Sequence, residues 1–358
     1  MLLILIINKY MEGDFYVDYG KLDDYQRTII ETLFHRSEVV GGKAGTGKSL
    51  IALHKLAKVP PDKRSSLVVY TKALKKYFED GLKTLNIPNA IVQYKDEWTR
   101  EHVDYIFVDE CQDFTADEIN EFINSGEKVF FFGDTSQTIM NFAGRVTQTV
   151  EDTAEMVGVR PDYLYNNYRL TKENAALAEY IGKRDDIVRY CIRNGVKPQL
   201  IEGATFNQQL DAIIDIIKTR NLTRACILVP YNTDDSALCS PNNDGKLAVK
   251  YVQEYCVAKG MPVEVKMKTK TEDVITLDFN SSAPKIISWH SVKGLQFNDV
   301  FIPFCETGYD DSMKRALYVA ITRAYNRLYL GYTGRPNPSI FPPVNSEIFA
   351  RKTTIEEI

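Results

Sequence analysis

The segment GGKAGTGKSL, residues 41–50, restricts the fold more than any other part of this chain. Glycines surround Lys48 directly after the apolar pair Val39-Val40. Glycine accepts backbone angles that other residues avoid, so a run of them can point several N–H groups into one concavity that holds an anion. The spacing fits the phosphate-loop pattern G-x-x-x-x-G-K-[ST], with Gly42, Gly47, Lys48 and Ser49 in place and Gly45 and Thr46 inside the loop. A strand before the loop and the apolar-periodic helix SLIALHKLAK after it supply the context that an ordinary glycine-rich surface turn lacks. In this pattern Lys48 reaches the β- and γ-phosphates of a nucleotide, Ser49 Oγ ligates Mg²⁺, and the helix N-terminus adds partial positive charge.

Around the loop, short apolar runs alternate with helical patterns. SLVVYT, DYIFVDE and KVFFFGD lie in the first half, and RACILVP, KIISWH, DVFIPF and RLYLGY in the second. Such alternation predicts α/β architecture with mainly parallel sheets covered by helices. A chain of 358 residues exceeds the usual single core. The polar, proline-containing stretch around residues 152–162 places a boundary there, giving a lobe over 1–155 and a second over 156–334. Residues 335–358, with four prolines in GRPNPSIFPPVNSEIF, read as an irregular tail over the surface. The opening MLLILII is too short for a membrane span and has no basic residue before it, so it reads as an edge strand. A start at Met11 would make the first ten residues dispensable. Six cysteines without metal-like pairing suit reduced thiols in a cytoplasmic protein, and no membrane or zinc is expected. A net charge of −4 excludes a globally basic surface, so any nucleic-acid contact must come from a local groove.

In YIFVDECQDF, Asp109 and Glu110 sit at the carboxyl end of a buried strand, where open α/β sheets collect ligands. Asp109 can hold Mg²⁺, and Glu110, pointing the other way, can orient and deprotonate an attacking water. FFFGDTSQTI is a further strand ending in a Gly-Asp turn that delivers Gln137 to the same rim, where an amide can hydrogen-bond both a terminal phosphate and a water. The second half supplies cations: Tyr168 and Arg169 in NNYRL, and Arg315 and Arg323 on the helix expected from SMKRALYVAITRAYNRL. His290, Lys293 and Gly294 follow the strand IISWH. Arginine suits phosphate because its planar fork grips two oxygens.

In order and spacing, LDDYQ, GGKAGTGKS, VVYTKAL, VDECQDF, FFGDTSQTI, NNYR, HSVKGLQF and YVAITRA resemble the motifs of superfamily-1 DNA helicases of the UvrD/Rep type. The resemblance implies two RecA-like lobes with Mg²⁺-ATP in the cleft between them. It implies that Gln26 reads adenine, that Tyr168 stacks on the base, and that Arg169 and Arg323 contact the γ-phosphate from the second lobe. It further implies a single-stranded DNA track, RNA not excluded, with Tyr70, Thr71, Phe142 and His290 at matching positions. The chain departs from the pattern in TIMNFAGR, where relatives usually have tyrosine at the Met140 position and arginine at the Ala143 position. It departs again at Gln296, where relatives have glutamate. Residues 83–102 and 170–285 leave no room for the accessory insertions of larger relatives, so a bare two-lobe core is expected. The implied activity is an ATP-dependent single-strand translocase or helicase of 3′ to 5′ polarity. The alternative is an ATP-driven switch subunit of a larger defence or repair complex, with a protein partner supplying the accessory function. A small-molecule kinase would not account for Gln137 or YVAITRA.

Overall fold

The computed structural model describes residues 19–32, 34–87, 90–135, 145–183, 186–232, 248–269 and 272–350. The opening apolar run, Gln137, Met140, Phe142 and Ala143 lie outside the described residues. The chain divides into two compact units, Met1–Tyr165 and Asn166–Ile358.

The first unit begins with α1 (Asp24–Glu31), whose N-terminus is closed by a capping box between Asp23 and Gln26. There follow β1 (Glu38–Gly42), α2 (Lys48–Leu56), β2 (Ser65–Val69), α3 (Lys72–Thr84), β3 (Ala90–Tyr94) and β4 (Val103–Asp109). The unit ends with α4 (Ala116–Ser125), β5 (Gly126–Gly133), α5 (Val150–Val157) and β6 (Asp162–Leu164). The strands form one sheet in the order β3-β2-β4-β5-β1-β6, parallel throughout. Strands covered on both faces read as continuous apolar runs, as YIFV does here. Thr71 and Thr115 cap α3 and α4, their hydroxyls accepting from the N–H groups of Leu74 and Glu118. Because β5 lies between β1 and β4, the loop after Gly42, the turn after Gly133 and the Asp109-Glu110 pair emerge along one edge.

In the second unit the elements are β7 (Asn167–Thr171), α6 (Lys172–Gly182), β8 (Cys191–Arg193), β9 (Gln199–Glu202), α7 (Phe206–Thr219) and β10 (Ala225–Val229). They continue with α8 (Val249–Ala258), β11 (Glu264–Lys268), β12 (Asp273–Ile275), β13 (Lys285–Ser288), β14 (Phe297–Ile302), α9 (Asp311–Ile321) and β15 (Ala324–Tyr332). The main sheet runs β12-β11-β13-β10-β14-β15-β9, and its one antiparallel pair is β11 with β12. β7 and β8 form a separate parallel pair. The mixed α/β class expected from the alternating apolar runs is therefore what forms. Residues 335–350 contain no helix or strand, yet Phe341 and Phe349 are buried and Asn337 N–H donates to Cys305 O at 2.8 Å. Among the described residues, no helix is long and apolar enough to cross a membrane.

One buried lysine ties the loop-bearing helix to both β1 and α1. Lys55 of α2 is fully buried, with Nζ 3.1 Å from Glu38 Oε2 and donating at 2.9 Å to the carbonyls of both Ile29 and Thr32. The rings of Phe34 and Phe130 flank the ammonium at 5.4 and 5.2 Å. Burial holds Lys55 below the usual lysine range and Glu38 above the usual carboxylate range, and each partner opposes the shift of the other. Removing one partner leaves a buried charge uncompensated, so Glu38→Ala should cost about 3–5 kcal/mol of stability. Urea unfolding checks this; a loss below about 1 kcal/mol, the range of an exposed pair, would show that the pair is solvated in solution.

Candidate active site

The loop between β1 and α2 is shaped by left-handed glycines, Gly45 at φ 83° and Gly47 at φ 92°. Thr46 Oγ1 donates to Lys43 O at 2.9 Å, closing the turn. Lys48 Nζ curls over the loop, donating to Gly42 O at 2.6 Å and Lys43 O at 3.2 Å. Gln26 packs against the same loop. Its Nε2 donates to Thr46 O at 3.0 Å, its Oε1 accepts from Asp23 N–H at 3.1 Å, and a Cβ at position 47 would lie 2.7 Å from Nε2. Gln26 thus braces the loop, and glycine at 47 is needed for that approach as well as for its backbone angles.

Ser49 Oγ donates to Asp109 Oδ2 at 2.6 Å, joining the start of α2 to the end of β4. Asp109 is fully buried, and Oδ1 accepts the N–H of Glu110 at 3.0 Å. Burial, with the Glu110 carboxylate beside it, pushes Asp109 up to about 7 against the pull of Ser49 and Lys48. Glu110 has a left-handed backbone, φ 57° and ψ 45°, which costs a residue with a Cβ on the order of 1–3 kcal/mol. That conformation turns the chain sharply at the strand end.

Gln112 is a residue the sequence reading did not single out. Its Nε2 donates to Glu110 Oε2 at 2.6 Å, and its Oε1 accepts the N–H of Asp134 at 2.9 Å. One buried amide therefore holds the Glu110 carboxylate and ties it to the turn after β5. Gly133 makes this possible, since a Cβ there would meet Cys111 Sγ at 2.5 Å and Gln112 Oε1 at 2.8 Å. The available signal was an amide two residues beyond a strand-end carboxylate in DECQ. Gly42, Gly45, Thr46, Gly47, Lys48, Ser49, Gln26, Asp109 and Glu110 are accordingly brought together in the first unit. Tyr70 and Thr71 follow β2: Thr71 caps α3, and the Tyr70 ring packs on Phe114 with Lys95 Nζ 5.2 Å and the Arg145 guanidinium 5.7 Å from its centroid. Burial pushes the Tyr70 phenol up to about 12.

The second unit holds Tyr168, Arg169, His290 and Arg323. Tyr168 and Arg169 are half-buried on β7, and Arg169 Nε donates to Gln296 Oε1 at 3.1 Å, so the residue that departs from the helicase pattern still supplies an acceptor. His290 is half-buried after β13, and burial holds its imidazole below the usual range. Arg323 does not lie on the helix with Arg315. The helix ends at Ile321, where Thr322 Oγ1 donates to Val319 O at 2.7 Å, and β15 begins at Ala324. Arg315 is exposed, whereas Arg323 is only 1% exposed. Its guanidinium donates to Val319 O at 2.8 Å, Leu295 O at 3.3 Å and Thr322 Oγ1 at 2.8 Å.

Residues 38–227 match the family of viral superfamily 1 RNA helicase core domains, and residues 285–330 match the UvrD-like helicase C-terminal domain. No curated protein matches the chain. Among solved structures, the arterivirus nonstructural protein 10 helicase is 15% identical with a TM-score of 0.44, covering 86% of this chain and 61% of that one. The same arterivirus helicase in complex with DNA is 15% identical at TM-score 0.44, covering 88% and 64%. The PRRSV helicase is 14% identical at TM-score 0.47, covering 88% and 57%. The chain thus spans 57–64% of the length of these structures. With one family matched over more than half of its residues and a related one over residues 285–330, the chain belongs to the superfamily-1 helicases.

Proposed function

We propose that the chain is the motor core of a helicase of the UvrD/Rep plan, hydrolysing ATP to drive movement along single-stranded nucleic acid. The observation that carries the reading is the Ser49–Asp109 hydrogen bond at the phosphate loop, with Glu110 held beside it by Gln112. A serine hydroxyl and a carboxylate are hard oxygen donors of the kind Mg²⁺ takes, and their 2.6 Å contact places both at one point at the start of α2. Mg²⁺ bound there would offset the charge of the β- and γ-phosphates.

The chain's own residues account for the rest. Lys48 exchanges its two loop carbonyls for phosphate oxygens, and the N–H groups from Gly45 to Ser49 line the anion site. Glu110, fixed by Gln112, accepts a proton from the attacking water. Gln137 orients that water or the terminal phosphate. Tyr168 covers the base, with Gln26 bracing the loop beneath the nucleotide and recognising adenine. Arg169 and Arg323 stabilise charge on the transferred phosphoryl group, each by leaving acceptors within its own unit. Tyr70, Thr71, Phe142 and His290 contact the nucleic-acid strand, the Tyr70 ring lying beside Lys95 and Arg145. The matched family points to RNA as readily as to DNA, so both belong in the test.

Steady-state ATP hydrolysis by the full chain, with and without unstructured DNA and RNA oligonucleotides, tests the motor reading. Stimulation by one of them is expected; unchanged turnover with both would favour a protein-triggered switch. Lys48→Ala and Glu110→Gln should separate binding from chemistry. Lys48→Ala should lose nucleotide affinity and turnover together, while Glu110→Gln should keep affinity and lose about 10²–10⁴-fold in kcat, the usual contribution of a general base. Equal losses of affinity, measured with a fluorescent ATP analogue, would show that Glu110 is a structural acid.

A further inference from the structure

Arg193 lies on β8, outside the nucleotide site, yet its guanidinium joins the two segments that carry Arg169 and Arg323. The pairing of β7 with β8 runs Asn167 to Cys191 and then Thr171 to Arg193, so Tyr168, Arg169 and Leu170 stand opposite Ile192 alone. Such a bulge re-aims side chains that regular pairing would alternate across the two faces. Two of its N–H groups are satisfied locally, since Asn167 Oδ1 accepts from Arg169 N–H at 3.0 Å and Leu170 N–H at 2.9 Å. The Arg169 carbonyl is satisfied from β8, where Arg193 Nη1 donates to it at 2.8 Å.

The same Nη1 donates to the carbonyl of Tyr325 at 2.9 Å, and Nη2 donates to Asn326 Oδ1 at 3.0 Å. The guanidinium also stacks on Tyr325, 3.6 Å from its ring centroid. Tyr325 is two residues beyond Arg323 at the start of β15. The segment after Arg193 is fixed too: Gly195 N–H donates to Glu173 Oε2 at 2.7 Å, and a Cβ at Gly195 would lie 2.4 Å from Thr171 Cγ2. Asn174 Nδ2 in turn donates to Asn326 O at 3.2 Å.

We propose that Arg193 is a positioning residue that locks the Tyr168–Leu170 bulge to the start of β15 and so holds Arg169 and Arg323 in a fixed relation to each other. The inference rests on the nucleotide role given above to Arg169. Without the guanidinium the Arg169 and Tyr325 carbonyls lose a shared donor, and the bulge is free to shift Arg169 relative to Arg323. Lysine cannot substitute, because it has neither a planar face for Tyr325 nor a fork spanning the carbonyls and Asn326.

The test is ATP turnover by the full chain carrying Arg193→Ala, Arg193→Lys, Arg169→Ala or Arg193→Ala with Arg169→Ala, together with ATP affinity and thermal midpoint. A displacement of about 1 Å can cost about 10²-fold in rate, so Arg193→Ala and Arg193→Lys should each lose about 10–100-fold in kcat with ATP affinity little changed. The double variant should be no slower than Arg169→Ala alone, because Arg193 acts through it. Native kcat in Arg193→Ala, full rescue by lysine, or losses that multiply in the double variant would each overturn the proposal. If Arg193→Ala does not fold, Arg193→Lys carries the same cycle. An Arg169→Ala variant as active as the native chain would instead overturn the nucleotide role on which the inference rests.

Discussion

The hydrogen bond from Ser49 to Asp109 connects residues sixty positions apart and makes a site out of two strand ends. Neither end would suffice alone. The phosphate loop supplies N–H groups and a lysine, but its geometry depends on Gly45 and Gly47 and on Gln26 beneath it. The acid pair supplies charge, but Asp109 is buried where a lone carboxylate is unfavourable, which is why its proton is held up to about 7. Joined at one edge, the two halves offset each other: the acid gains a hydroxyl partner and the loop gains a fixed neighbour. The order β4-β5-β1 brings this about, and the Gln112 amide extends the connection to the turn after β5.

Much of this was legible in the sequence because the chemistry demands particular residue types locally. Glycine takes the left-handed angles at 45 and 47 without strain, and an uninterrupted apolar run such as YIFV marks a strand buried on both faces. Asp109 and Glu110 could be placed because they end such a run. What could not be read were polar residues whose meaning comes from distant partners. Lys55 follows the helical pattern of α2, and nothing nearby shows that Glu38, Ile29 and Thr32 surround it. The amide of Gln112 gains its role from Asp134, 22 residues on. The three-residue strands β6 and β8 are too short for an alternating pattern to declare itself.

The arginines of the second unit show the same boundary from the other side. Sequence spacing placed Arg315 and Arg323 together on one helix, yet the first is exposed and the second almost fully buried beyond the helix end. The difference arises at Thr322, whose hydroxyl turns back to Val319 and releases the chain into β15. Arg193 reaches 24 residues back to Arg169 and 132 residues forward to Tyr325, separations at which residue pattern carries no information. In both units the charged groups proposed to act on a ligand are readable from motifs, and the groups that hold them in place are not.

Nucleotide turnover at the Ser49–Asp109–Glu110 site is proposed to move the chain along a single strand. Stopped-flow fluorescence with end-labelled oligonucleotides of increasing length tests it most directly. A motor should give an ATP-dependent arrival signal whose lag grows in proportion to oligonucleotide length. A signal independent of length, in the presence of normal ATP turnover, would contradict the account and leave a nucleotide-driven switch in its place.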